Sequence, residues 1–250
     1  MLPRGRDDFV RQIAIWCGFA LAYEIARACA DRGDHVALAN ARRVVALEKS
    51  LGGLPEVDIQ HWFLSAGSLF VHVVDWTYWL SQFVVLSAGL LWVYLRHNEG
   101  YLQLRNTLFL VNAMGLVCYV AAPTAPPRLL PGDGLVDTLS PSTVDFGTGF
   151  VRLLANPDAA MPSLHAADAL VLGVTLASVA ARPGLRALAL LWPVWVSFVV
   201  VATGNHFVLD VAAGLVLGGL GLVWMRTRYE ATRSVTGGRT RRLADRLARQ

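Results

Sequence analysis

The chain has 250 residues, 55% of them hydrophobic and only 16% charged, with a mean hydropathy of +0.47 and a formal net charge of +4. That balance excludes an ordinary soluble domain, or two of them, because either would need long polar surfaces. The three cysteines, Cys17, Cys29 and Cys118, are an odd set without metal-ligand spacing, which argues against a disulfide framework and against a zinc site.

Six apolar runs are long enough to span a bilayer, at 13–30, 76–95, 106–122, 164–181, 187–203 and 207–225. Each is near the ~20 residues that a hydrocarbon core of ~30 Å requires. The expected fold is therefore all-α, a polytopic membrane bundle of six transmembrane helices with interfacial helices added. One membrane-embedded domain is expected over 1–225, followed by a tail over 226–250.

The first run holds Glu24 and Arg27 and has no small-residue cleavage site after a short apolar core, so it reads as a retained signal anchor. Three residues apart, the two side chains share a helical face and can pair. A helix is expected from Val36 to Leu51, punctuated by Leu54-Pro55. The following segment, HWFLSAGSLFVHVV (61–74), is apolar but short and carries His61 and His72, so it is expected to lie flat at the interface. The Trp and Tyr residues at 76–79 and 92–94 read as an interfacial belt.

Charge orients the bundle. Segments 1–12, 96–105, 182–186 and 226–250 carry 15 basic and 5 acidic residues, against 6 basic and 10 acidic in 31–75 and 123–163. Basic residues accumulate on the cytoplasmic side of short loops. Cytoplasmic termini and outer long loops are expected, in what reads as a bacterial plasma membrane. The loop 123–162 is rich in Pro, Gly, Asp, Ser and Thr, a length and composition that mark a functional loop or lid. A short helix is expected within it from Phe150 to Ala155. The tail, with eight arginines and two acids, reads as a solvated polybasic segment that contacts anionic lipids. No nucleic-acid recognition fold surrounds that charge, so no nucleic-acid partner is expected. In the last run, Gly214, Gly218, Gly219 and Gly221 are expected to permit close helix packing.

Two of the six histidines stand at span boundaries in polar company. His165 opens the fourth span in PSLH, and His206 lies between the fifth and sixth in TGNHFVLD, four residues before Asp210. On a helix that spacing puts His206 and Asp210 on one face, so the carboxylate can fix the imidazole tautomer and leave the other ring nitrogen as a nucleophile or a base. Three polar sequences, PTAPPR after the third span, PSLH before the fourth and GNH between the fifth and sixth, emerge on the same face. Arg128 offers a planar cation for phosphate. Ser163 and the amides of a helix N-terminus add anion-binding donors. Asn205 and Thr203 can contribute there or cap the sixth helix. Asp168, three residues after His165, either orients that imidazole or pairs with a neighbouring helix.

The segments PTAPPR (123–128), AMPSLHAA (160–167) and GNHFVLDVAAG (204–214) resemble the type-two phosphatidic acid phosphatase superfamily. Within it they are most similar to the inositol phosphorylceramide synthase-like (inositolphosphotransferase) branch. The likeness extends to E-x-x-L-G (48–52), Glu56, Gln60 and V-D-T (136–138), covering roughly residues 45 to 220. The resemblance implies a phosphatidic acid phosphatase-like core and a metal-independent enzyme without cofactors. In it His206 forms a phosphohistidine, Asp210 orients it, and His165 protonates the departing oxygen, with Arg128, Ser163 and Asn205 holding phosphate or substrate.

The chain departs from the superfamily pattern at Ala121, where a lysine is usual, at Leu129, where a proline is usual, and at Val199-Val200, where a serine-arginine pair is usual. Two of three phosphate cations are thus missing, and Arg152 and Arg42 are candidates to replace them. The expected activity is transfer of a phosphorylated head group, inositol phosphate being one candidate, between a phospholipid and a hydroxyl acceptor. The same residues with water as acceptor would make a lipid phosphatase. A transporter is the third reading, since intramembrane ionisable residues also mark transport pathways. Clustering of the polar motifs on one face opposes it.

Overall fold

A computed structural model describes residues 2–29, 34–130, 132, 134–139 and 160–247. The described residues are helical apart from the connections between helices and contain no strand. Helix α1 runs Gly5–Cys29, α2 Asp34–Leu51 and α3 Pro55–Ser65. Helix α4 begins as Ser68–Leu80, passes through a π-turn at Ser81–Val85 and continues as Leu86–Arg96. Helix α5 covers Asn98–Ala121, and a 3₁₀ turn follows at Pro127–Leu129. The last three are α6 Leu164–Val179, α7 Pro183–Ala202 and α8 Val208–Leu247. Phe150 to Ala155, where a short helix was expected, lies outside the described residues, and so does Arg152.

Five helices are long and apolar enough to cross a membrane: Gly5–Ala28, Ser68–Arg96, Asn98–Ala121, Pro183–Ala202 and Val208–Tyr229. The chain has the build of a multi-pass membrane protein. The fourth expected span, 164–181, corresponds to α6, whose 16 residues reach only about 24 Å at ~1.5 Å per residue. It sits among its neighbours instead of facing outward, with nine of its residues buried. The Glu24–Arg27 pair expected in α1 forms, at 2.5 Å.

The segment 61–74 departs from the flat interfacial stretch expected of it. Gly67 adopts φ +100°, a left-handed conformation open to glycine, and breaks the chain between α3 and α4. His61 to Ser65 therefore end α3, whereas Ser68 onward starts the spanning helix. Apolar residues stand on both sides of Gly67, so composition does not mark the break. At the other end of the chain, α8 continues well past the expected span end at 225, as one helix to Leu247.

The centre of the bundle is a buried cluster that includes Val93, Tyr101, Leu108, Val111, Val171 and Leu172, contributed by α4, α5 and α6. Helix α8 is drawn against α5 and α6 by missing side chains. A Cβ at Gly214 would lie 2.1 Å from the Ser163 carbonyl oxygen, one at Gly218 would lie 2.9 Å from that of Ala167, and one at Gly221 would lie 2.5 Å from Val111 Cγ2. Gly219 points into open space, so three of the four expected glycines permit close packing and that one does not. The contact with Gly214 seats the start of α6 directly on the start of α8.

A second cluster holds Phe207 fully buried among Ala37, Ala41, Val44 and Val45 of α2 and Ala125 and Leu130 of the loop after α5. Helix α2 thus acts as a cover that presses that loop onto the start of α8. A backbone bond from Ala125 N–H to Ala37 O (3.0 Å) ties the cover down, and one from Ala160 N–H to Thr124 O (2.7 Å) joins the loop to the segment before α6. The Asn40 amide donates to Pro123 O at 2.7 Å.

Gly214→Ala forces backbone apart at the α6–α8 contact, at an expected cost of roughly 1–3 kcal/mol. Thermal unfolding of the purified protein is expected to show a clear loss for Gly214→Ala and none for Gly219→Ala; equal midpoints would refute the packing argument.

Candidate active site

The start of α8 has four backbone N–H groups without helical partners, as every helix does. Two carboxylates satisfy part of them. Asp210, at the third helical position, reaches back to accept from Phe207 N–H at 2.9 Å. Glu48, from the far end of α2, accepts from Leu209 N–H at 2.9 Å. The first is half of a capping box, and both place negative charge where the helix dipole is positive. The Asp210 backbone oxygen in turn accepts from Ser163 N–H at 2.9 Å.

This capping turn brings His206 and Asp210 together. Helix α8 begins at Val208, so His206 precedes it, and the expected four-residue helical spacing is replaced by the fold of the cap. The distance from His206 Nδ1 to Asp210 Oδ2 is 3.6 Å, both side chains being buried. That orients the imidazole with Nδ1 toward the carboxylate and Nε2 away from it.

His165 lies in the first turn of α6, where the fully buried Ser163 caps the helix by accepting from Ala166 N–H at 3.4 Å. The His165 and His206 rings meet edge to face, with centroids 6.0 Å apart and planes at 62°. On its other side His165 stacks on Tyr78 of α4, at 4.6 Å and 27°. Tyr78 was counted in the interfacial belt; tertiary packing turns it inward, onto the imidazole.

Arg128 reaches the same place from the 3₁₀ turn. Its backbone N–H donates to Gly204 O at 3.0 Å, and its Nη1 donates to Asn205 Oδ1 at 2.5 Å. The guanidinium also pairs with Asp137 at 3.4 Å. Gly204 takes φ +72°, and a Cβ there would meet the Val136 carbonyl oxygen at 3.0 Å and Arg128 Cβ at 3.4 Å, so the close approach needs glycine. Asn205 does not cap α8: it holds Arg128 and donates to Thr203 Oγ1 at 2.9 Å. Thr203 bonds back to Val199 O at 2.9 Å, finishing α7.

His165, Ser163, Arg128, Asn205, His206 and Asp210 thus converge at one end of the bundle. Arg42 stands exposed on α2. Val199 and Val200 are fully buried core residues. Among the described residues, no group of three or more His, Cys, Asp or Glu side chains has an arrangement that could hold a metal ion.

Several residues around the site had no role in the sequence reading. Gln60 of α3 donates to Val136 O at 2.9 Å and to Ala202 O at 3.0 Å and accepts from Val136 N–H at 2.8 Å, clamping the loop beside Arg128 to the end of α7. Thr138 donates to Asp75 at 3.0 Å. Glu48, Glu56, Gln60 and 136–138 carried a signal only as outlying parts of the family likeness. Asp168 does not orient His165: it accepts from Gln82 Nε2 at 3.0 Å and from Asn112 Nδ2 at 2.9 Å, on neighbouring helices.

Two histidine rings with centroids 6.0 Å apart, one beside a carboxylate, and an arginine held by Asn205 make up the candidate site. A model of the PAP2 superfamily matches residues 42–224, and the chain belongs to that superfamily. Its members are phosphoesterases or phosphotransferases, so the chain is classed with lipid phosphatases and phosphotransferases. Comparison with curated proteins gave no match, and comparison with solved structures gave none.

Glu56 of α3 is wholly buried near Glu48 and Asp210. Burial pushes its carboxyl up to about 8, and the Glu48 carboxylate acts in the same direction. The folded state therefore keeps a proton that the unfolded chain loses near pH ~4.3. Stability is expected to fall as pH rises from that value to about 8. Thermal unfolding across this window should slope downward for the native protein and be flatter for Glu56→Gln; parallel curves would refute the assignment.

Proposed function

We propose that the protein is a membrane-embedded phosphotransferase that moves a phosphorylated head group from a phospholipid to a hydroxyl acceptor through a phosphohistidine. The observation that carries this reading is the pair of imidazoles 6.0 Å apart, His206 backed by Asp210 and His165 held by Tyr78. One phosphoryl group between them is within reach of both.

Arg128, held by Asn205, binds the anionic oxygens through its planar fork. Ser163 adds a hydroxyl donor at the start of α6. Asp210 favours the tautomer with the proton on His206 Nδ1 and stabilises the positive charge that develops on attack. His206 Nε2 attacks phosphorus, a P–N bond forms, and the P–O bond to the leaving alcohol breaks as His165 gives that oxygen a proton. In the second half His165 takes the proton of the acceptor hydroxyl. The acceptor oxygen attacks phosphorus and the P–N electron pair returns to His206. Inositol phosphate is the head group favoured by the likeness of PTAPPR and PSLH to the inositol-transferring branch.

We further infer that the loop end of the bundle faces outward, the basic termini lying in the cytoplasm. The charge counts of the connecting segments support this orientation.

His206→Ala is expected to abolish turnover, and His165→Gln to reduce it by roughly 10²–10⁴-fold. Brief reaction with a ³²P-labelled phospholipid should leave acid-labile label on the His206 peptide and none in His206→Ala. Normal turnover in that variant would sink the mechanism. Product analysis distinguishes transfer from hydrolysis: a new phosphodiester supports transfer, and release of inorganic phosphate from a lipid monoester alone would establish a phosphatase.

A further inference from the structure

Helix α1 lies outside the span matched by the superfamily. It leans on the bundle chiefly through α5, where Trp16 and Phe19 pack on Phe109. Between α1 and the face formed by α4, α5 and α6 lies a cavity of about 640 Å³. That falls in the ~300–1,000 Å³ range in which proteins enclose small ligands. Its walls are predominantly apolar, with Ile13 and Ala20 on one side and Phe83, Leu86 and Leu90 on the other. It lies at the depth of the spanning helices, where the surrounding solvent is hydrocarbon.

The cavity lining also includes polar residues, Gln12 and Glu24 of α1 and a cluster of Gln82, Asn112 and Asp168, the last only 2% exposed. Each Asp168 oxygen accepts one amide N–H. A carboxylate has about four acceptor positions, so capacity for a further donor remains. Gln82 owes its place to the π-turn at Ser81–Val85, a local departure that often accompanies function. Asp168 stands one helical turn from His165, and the two line a small gap of about 10 Å³ together with Gln82.

We propose that this cavity binds the hydrocarbon chain of a neutral, hydroxyl-bearing lipid acceptor, whose head hydrogen-bonds the Asp168–Gln82–Asn112 cluster beside His165. The assignment to the acceptor rests on the transfer reading above. Charge decides between the two substrates. A phosphorylated lipid is repelled by Asp168 and attracted by Arg128, whereas a hydroxyl donates to a carboxylate. The acceptor then approaches from the α1 side and the phosphorylated donor from the Arg128 side. His165 lies between them, placed to take the acceptor proton as the new P–O bond forms and the P–N bond to His206 breaks.

The test uses the full-length protein in phosphatidylcholine vesicles and a diacylglycerol carrying a mid-chain diazirine. Photolysis is expected to label peptides of α1 from Ile13 to Tyr23 and of α4 from Gln82 to Leu91, saturably and in competition with unlabelled diacylglycerol. Ala20→Trp and Ser87→Trp, which fill the cavity from opposite walls, should each lower that labelling by about tenfold, and Asp168→Leu should raise the half-saturating concentration by about tenfold, the factor that 1.4 kcal/mol represents. Size-exclusion profiles show which variants are folded. Non-saturable labelling spread over the outward faces of the helices, or labelling unchanged in a folded tryptophan variant, would overturn the proposal. His206→Ala separates the two readings: it should keep the labelling and lose turnover. Normal turnover there would defeat the phosphohistidine while leaving the labelling map to judge the cavity.

Discussion

The arrangement depends on how the first turn of α8 is capped. Its N–H groups emerge among buried side chains, where an unpaired donor is costly, and Asp210 and Glu48 take those of Phe207 and Leu209. Both carboxylates do more than cap. Asp210 lies behind His206, and its backbone oxygen receives the Ser163 N–H that anchors α6. Glu48 ties α2, and through it the cover over Phe207, to the same turn. One capping requirement thus fixes three elements and the orientation of an imidazole.

Close helix contact supplies the second constraint. Gly214 and Gly218 let α8 meet α6 at backbone distance, and the two histidines stand at the starts of these helices with ring centroids 6.0 Å apart. Between membrane helices, such contact and interhelical hydrogen bonds carry the association, since burial of apolar surface gains little against lipid. The buried polar groups follow the same rule: Asp168 joins α4, α5 and α6 through two amides, and Gln60 holds a loop and a helix end through three bonds. The cation Arg128 stands on the loop side of the histidines and the carboxylate Asp168 on the side of the cavity.

Much of the architecture was legible because hydrophobic runs and turn residues are local signals. The apolar stretches gave the helices and their order, and PTAPPR, PSLH and GNHFVLD marked the three segments that meet at the site. Less legible were features set by distant partners. The break at Gly67 needs a backbone conformation that composition does not show. The inward turn of Tyr78 depends on α6 lying beside α4. The short length of α6 became intelligible only when its neighbours were seen to enclose it.

The sequence by itself determined a helical membrane protein with two histidines, an arginine and a carboxylate at the ends of apolar runs, because hydropathy and residue chemistry are properties of the chain. Tertiary structure alone decided that Asp210 reaches His206 through a capping turn, that Asn205 serves Arg128 and not the helix, and that Asp168 faces a cavity walled by α1. Each is a hydrogen bond or a contact chosen among several possible partners. Distance in the folded state makes that choice, and spacing along the chain does not encode it.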